Sequence, residues 1–262
     1  MHPSPEHAPE WKIKLDQLTK HFYDGRLEIT ALSAVSLEIP PGQFYVFVGP
    51  SGCGKTTLLE IVAGLQTKSA GDLLIHSQPT HASQPLTSMV FQAPSIFPWM
   101  SVRDNIAFGL KARGIDKASQ HRITAEYIET MSLSGFERAF PHQLSGGMKQ
   151  RVSIARAFAN DPQILLMDEP FASLDAQNRV TLQVELLRIW EETQKTVLFV
   201  THSIDEAILL ADKIVVMTTR PGRVRDIIPV DFSRPRQIDL VRGDPEFGVL
   251  YNRVWQHLRN GD

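Results

Sequence analysis

Eight residues, Gly49-Pro50-Ser51-Gly52-Cys53-Gly54-Lys55-Thr56, constrain this 262-residue chain more than any other segment. They match G-x-x-x-x-G-K-[ST] without a gap, directly after the apolar run Gln43 to Val48 and before a helical stripe of Leu58, Leu59, Val62 and Ala63. A strand, a glycine-rich loop and a helix in that order curl backbone N–H groups inward around phosphate oxygens, and the helix dipole adds positive charge. In such a loop Lys55 reaches the β- and γ-phosphates, Thr56 ligates Mg²⁺, and Thr57 donates toward the α-phosphate. Cys53 reads as a small loop residue. As the single cysteine it excludes an intramolecular disulfide and a cysteine-rich zinc site.

The rest of the pattern is that of an α/β chain with a mostly parallel sheet. Val35 to Ile39, Ser88 to Gln92, Gln163 to Met167, Thr196 to Val200 and Lys213 to Met217 read as strands, most of them buried on both faces. Helical stretches at Asp175 to Glu192 and Ser203 to Ala211 lie between the later ones. From about Pro94 to Asn160 only helical patterns occur, such as Val102 to Leu110 and Ala118 to Met131, which predicts a helical subdomain inserted into the core. Asp244-Pro245-Glu246 opens a last helix with an apolar stripe of Phe247, Leu250, Tyr251, Val254 and Leu258. The first ten residues read as a disordered tail without an export pattern, and no apolar run approaches the ~18 residues of a membrane span. A net charge of −2 gives no reason to expect nucleic acid as a partner. The arginines at 220, 223, 225, 234, 236 and 242 are expected to form a solvated, lipid-facing or partner-facing surface.

Two further segments point to phosphate chemistry. Ile164 to Glu169 is an apolar strand ending in two acids, on the side of a parallel sheet where ligands bind. Asp168 is placed to hold Mg²⁺, and Glu169 to polarise a water attacking the γ-phosphate. Leu144-Ser145-Gly146-Gly147-Met148 opens a second helix with small residues, able to present amides to a phosphate.

With that last segment the chain resembles the ATP-binding-cassette (ABC) family, whose signature is LSGGQ, with Met148 here at the fifth place. The resemblance runs from about Ile13 to Leu258. It implies a P-loop NTPase core with an N-terminal antiparallel β part and an inserted α-helical subdomain. The core would comprise residues 11–92 and 161–231, the helical subdomain 93–160 and a C-terminal helical extension 232–262, after the tail 1–10. It also implies that Ser145, Gly146 and Gly147 face the phosphate loop of a second cassette, so that a homodimer sandwiches two ATP molecules. Gln92 would then contact Mg²⁺ and the attacking water, and Asp175 in Ala172-Ser173-Leu174-Asp175 would reach across the dimer. His202 would touch the γ-phosphate, and Phe22, with Tyr23 as a competitor, would stack on adenine.

The stretch from Gln92 to Leu144 is too short for the long coiled coil of the family's chromosome-maintenance members, and one cassette is present rather than two. Phe97-Pro98-Trp99-Met100, Val102 to Leu110, Val200 to Ala207, Arg220-Pro221-Gly222-Arg223 and Asp244 to Phe247 resemble the nitrate, sulfonate and taurine branch of importer ATPases. That branch implies a cytoplasmic subunit on the inner face of a bacterial plasma membrane. Its transmembrane permease partners would bind through Phe97 to Met100, and a solute-binding protein would take part indirectly. A small-molecule kinase built on the same phosphate loop, a non-catalytic regulatory cassette, and an ABC ATPase for another solute class stand as the alternatives.

Overall fold

A computed structural model describes residues 12–25, 27–76 and 86–259. The N-terminal tail of the sequence reading lies outside them.

Two sheets carry the molecule. Strands β1 (Ile13–Asp24), β2 (Leu27–Ile39) and β4 (Ala70–Ile75) form an antiparallel sheet in the order β2-β1-β4. The second sheet has the order β5-β6-β7-β3-β8-β9, from β3 (Phe44–Val48), β5 (Thr87–Val90), β6 (Ile164–Asp168), β7 (Thr196–Val200), β8 (Lys213–Met217) and β9 (Val224–Pro229). Its strands pair parallel except for β9, which runs antiparallel to β8. All five residues of β3, β6 and β7 are buried, as continuous apolar runs covered on both faces require.

One face is covered by helix α1 (Lys55–Val62), whose Leu58, Leu59, Ile61 and Val62 pack with Leu15, Leu18, Val35 and Leu37 of the antiparallel sheet. The other face carries α5 (Ala176–Thr193), α6 (Ile204–Leu210), α7 (Ile238–Gly243) and α8 (Pro245–Arg259). Between β5 and β6 the described chain is helical, with α2 (Val102–Ala112), α3 (Lys117–Thr130), a 3₁₀ turn at Pro141–Gln143 and α4 (Gly146–Ala159). The chain is therefore α/β, with a mostly parallel core, an antiparallel N-terminal part and an all-helical insertion.

The caps explain where these helices start. Ser101, Asp116, Ser145, Asp175 and Ser203 each accept a backbone N–H from the third residue onward, opening α2, α3, α4, α5 and α6. Helix α1 has no such side-chain cap.

Strands β1, β4 and β9 and the early half of β2 escape the sequence pattern. In strand β1 and the early half of β2 bulges interrupt the alternation, and strand β4 is a short, largely exposed edge. Register shifts fall between Leu15 and Leu18 and between Leu18 and Lys20, with Gln17 and Ala34 at positive φ. Strand β9 goes unread because its sequence Val-Arg-Asp-Ile-Ile-Pro does not alternate apolar with polar residues.

The expected arginine surface is corrected in two places. Arg236 is buried, its Nη1 donating to the carbonyls of Leu209 (3.1 Å) and Ala211 (2.7 Å) and its Nη2 to Val230 (3.1 Å). It closes the carbonyl end of α6 against the end of β9, and burial pulls its pKa down to about 10. Arg234 lies over the Trp190 ring, 4.2 Å from its centroid, and bonds Asp212 at 2.8 Å. Arg220 stays exposed, as expected, but lines a cavity described below. An arginine fork satisfies several carbonyls at once, which a charge count cannot reveal. Arg236→Met leaves those carbonyls unpaired and is expected to cost roughly 3 kcal/mol, read as a lower urea midpoint with an unchanged slope.

Candidate functional site

The carboxyl ends of β3, β5, β6, β7 and β8 point to one edge of the main sheet, where loop residues gather. There the structure places a cavity of about 550 Å³ lined by Phe22, Ile29, Ala31, Ser51, Gly52, Gly54, Lys55, Thr56, Thr57, Gln92, Glu169 and Arg220.

The floor of this cavity is the loop Gly49 to Gly54. Gly54 sits at φ +93°, and a Cβ there would come within 2.7 Å of Leu32 Cδ2 and 2.8 Å of Ala31 O, so only glycine turns the chain into α1 at this point. The uncapped first turn of α1 leaves its N–H groups for a ligand. Lys55 folds back over the loop, its Nζ donating to Gly49 O at 2.7 Å and to Pro50 O at 3.0 Å. Gly49, Pro50 and Cys53 shape the loop from behind rather than line the cavity. Cys53 is buried, with its sulfur 3.6 Å from Lys55 Nζ.

Thr56 Oγ1 donates to Asp168 Oδ1 at 3.1 Å, joining the loop to the last residue of β6. Burial holds the Asp168 carboxyl above its ordinary range, with the nearby acids Glu169 and Glu60 acting in the same direction. A buried carboxylate beside a hydroxyl is a hard-oxygen pair that suits Mg²⁺ completing its shell with phosphate and water. No group of three or more His, Cys, Asp or Glu stands together among the described residues, so a protein-only metal cage is absent there.

Glu169 stands one residue beyond. Its φ of +42° is unusual for a residue with a side chain, and its N–H is tied to Val200 O at 3.0 Å. That backbone turn aims the carboxylate at the cavity, where Oε2 lies 3.1 Å from His202 Nδ1 and 3.5 Å from Gln92 Nε2. Gln92, Glu169 and His202, which follow three different strands, thus meet in one place. Beneath them Glu206 is buried, accepts a hydrogen bond from Thr201 Oγ1, and faces Arg179 Nε at 3.9 Å.

Phe22 lines the cavity, whereas Tyr23, on the opposite face of β1, is 73% exposed and outside it. Ser145, Gly146, Gly147 and Asp175 are not brought to this cavity within the chain. Ser145 and Gly146 are exposed, Ser145 Oγ capping α4 from Met148 N at 3.2 Å. Asp175 caps α5, and the N–H of Asn178 holds its carboxyl below the usual range. The two caps are neighbours, since Gly147 lies against Leu174 and Asn178. The exposed Trp99 stands beside Phe97, with ring centroids 5.6 Å apart, away from the cavity lining. Sequence reading did not place Ile29, Ala31 or Arg220 at the site. The first two lie on a strand hidden by bulges, and the sequence pattern assigns Arg220 to an exposed arginine surface rather than to this site.

Residues 32–172 match the profile of the ABC transporter family. The chain belongs to that family. It is 49% identical over 225 residues to an uncharacterized ABC transporter ATP-binding protein of Methanocaldococcus jannaschii, covering 86% of this chain and 84% of that one. It is 39% identical over 249 residues to the aliphatic sulfonates import ATP-binding protein SsuB of Bacillus anthracis, covering 95% and 96%. Among solved structures, a dimeric post-hydrolysis ATP-binding cassette bound to ADP and Pi superposes with a TM-score of 0.74 at 30% identity, over 84% of this chain and all of that one. The cassette is accordingly an ATP-binding, ATP-hydrolysing enzyme of this family, and the kinase alternative is set aside. Among the described residues no helix is long and apolar enough to cross a membrane.

The buried acid Glu206 sets a pH dependence. Burial raises it above its ordinary value of 4.5, outweighing the Thr201 hydrogen bond and Arg179. The unfolded chain then gives up this proton first, so stability is complete below about 4.5 and declines as pH rises through the folded value. Glu206→Gln is expected to flatten that decline toward neutrality, measured as urea midpoints across the range.

Proposed function

We propose that this cassette is the motor subunit of a bacterial importer for sulfonate-type anions, working as a pair of cassettes on the inner face of the plasma membrane. The observation that carries the catalytic part is the convergence of Glu169 with His202 and Gln92 at the mouth of a cavity floored by Lys55 and Thr56.

The chemistry follows from these positions. ATP lays its phosphates on the amides of the loop and of α1, and Lys55 exchanges the carbonyls of Gly49 and Pro50 for phosphate oxygens. Phe22 offers its ring to the adenine. Thr56, Asp168 and Gln92 would hold Mg²⁺, which when bound offsets phosphate charge. Glu169 accepts a proton from a water whose oxygen bonds to the γ-phosphorus. The bond from that phosphorus to the β–γ bridging oxygen breaks, leaving ADP and phosphate. Hydrogen bonds from His202 and Gln92 keep the Glu169 carboxylate in line.

One chain lacks a wall over the γ-phosphate side. In the proposed pair, Ser145, Gly146 and Gly147 of the second copy supply it, with Asp175 reaching across beside them. The dimeric state of the structural relative bound to ADP and Pi supports this arrangement. Because the γ-phosphate contacts both surfaces, ATP shifts the pair toward closure, and departure of the phosphate after hydrolysis releases it. Glu169→Gln is expected to bind ATP, turn over at least about 100-fold more slowly, and accumulate as a closed pair in light scattering. Adding Ser145→Arg should abolish that pair while ATP still binds. Wild-type turnover in Glu169→Gln would remove the residue from this role.

Phe97 to Met100 form the proposed seat for a permease segment. Asn105 is fully buried and builds that turn: its Oδ1 accepts from Phe97 N at 2.7 Å, and its Nδ2 faces the carbonyls of Phe97, Met100 and Ser101 at 3.0 to 3.2 Å. Trp99 is left 69% exposed, an aromatic anchor of the kind that interfaces use. Similarity to the SsuB importer subunit supports a sulfonate-type solute. Deletion of the gene is expected to stop growth on an alkanesulfonate as sole sulfur source and spare growth on sulfate. Growth on both would point to another solute class.

A further inference from the structure

The turn after β8 reaches into the nucleotide cavity, and none of the roles above uses it. Thr218 Oγ1 donates to Pro221 O at 3.1 Å and accepts from Arg223 N at 3.0 Å, which folds the turn on itself. Gly222 N donates to Ala31 O at 2.9 Å, and Ser33 N to Gly222 O at 3.0 Å, so the turn is stitched to β2 as well. A Cβ on Gly222 would lie 1.9 Å from Cys53 O, so the turn rests directly on the backbone of the phosphate loop. This bracing delivers the Arg220 side chain to the loop's crest, where Nε donates to Gly52 O at 3.1 Å.

Arg220 also lines the cavity and, among the described residues, is the single one besides Lys55 to bring a permanent positive charge to its lining. Lys55 is turned onto two loop carbonyls, whereas Arg220 is exposed and forms no ion pair among the described residues. A guanidinium has five N–H donors, and the Gly52 carbonyl engages one of them. The remaining fork fits the paired oxygens of a phosphate better than any other group an ATP-binding cavity admits.

We propose that Arg220 is a second cationic contact to the nucleotide's phosphates, anchored through Nε to Gly52 and binding phosphate oxygens through its Nη groups. The proposal rests on the reading of the cavity as the ATP site. It places the turn after β8 on the other side of β3 from the strand ends that carry Gln92, Glu169 and His202.

The test is calorimetry of ATP, ADP and adenosine with wild type, Arg220→Gln and Arg220→Lys. Arg220→Gln is expected to weaken ATP and ADP binding about tenfold and to leave adenosine unchanged. The slope of log Kd against log salt should fall as one phosphate contact is lost, and Arg220→Lys should restore part of both affinity and slope. A contact that only props the loop would lower affinity without moving the salt slope, and that result overturns the proposal. So does unchanged ATP affinity in Arg220→Gln, including the case in which only ATP-driven pairing weakens, which would assign Arg220 to an acidic group of the second copy. Thermal melts of the variants separate these outcomes from misfolding: a folded variant with wild-type binding counts against the role. Failure of wild-type protein to bind ATP at all would instead sink the cavity's assignment.

Discussion

The amino end of α1 is the constraint around which the rest of the site is arranged. Five other helices begin with a side chain answering their free N–H groups, and this one does not. Its amides, the glycine loop before it and Lys55 concentrate positive potential at one point of the sheet edge. Within the chain Lys55 is met by the carbonyls of Gly49 and Pro50 and by the Cys53 sulfur. In the proposed site an ATP phosphate would replace these internal partners by charged ones, and the two acids at the end of β6, with His202 after β7, are the groups placed to respond to it.

The acids are kept apart by environment. Asp168 is drawn inward, against Thr56, while Glu169 is turned outward by its positive φ. Adjacent carboxylates on a regular strand would also point to opposite faces. Here the strand ends between them, and the tie to Val200 O fixes the second one toward His202. One carboxylate suits a cation and its neighbour suits a water, from the same two-residue sequence.

The sequence made the phosphate loop and the parallel core legible because both rest on short-range signals: a gapless motif, and apolar runs whose burial leaves no doubt about strand type. The helical insertion was legible for the same reason, through the periodicity of Val102 to Leu110 and Ala118 to Met131. The antiparallel sheet came only through family resemblance, since bulges near Gln17 and Ala34 break the alternation that a single sequence displays. The arginines misled for a different reason. Whether a guanidinium is solvated, as a charge count assumes, or spent on carbonyls, as for Arg236, depends on which helix ends come near it. Arg220 depends in the same way on β8 lying next to β3, a neighbourhood that the order of the chain does not state.

Asn105 gives the molecule a mechanical property. One buried amide meets four backbone groups of the turn from Phe97 to Ser101, and it sits within α2, which packs closely on α4. The turn therefore has no slack of its own. In the proposed importer a push delivered at Trp99 would pass into the helix pair as through a stiff rod, and a tilt of those helices would be handed back to the surface.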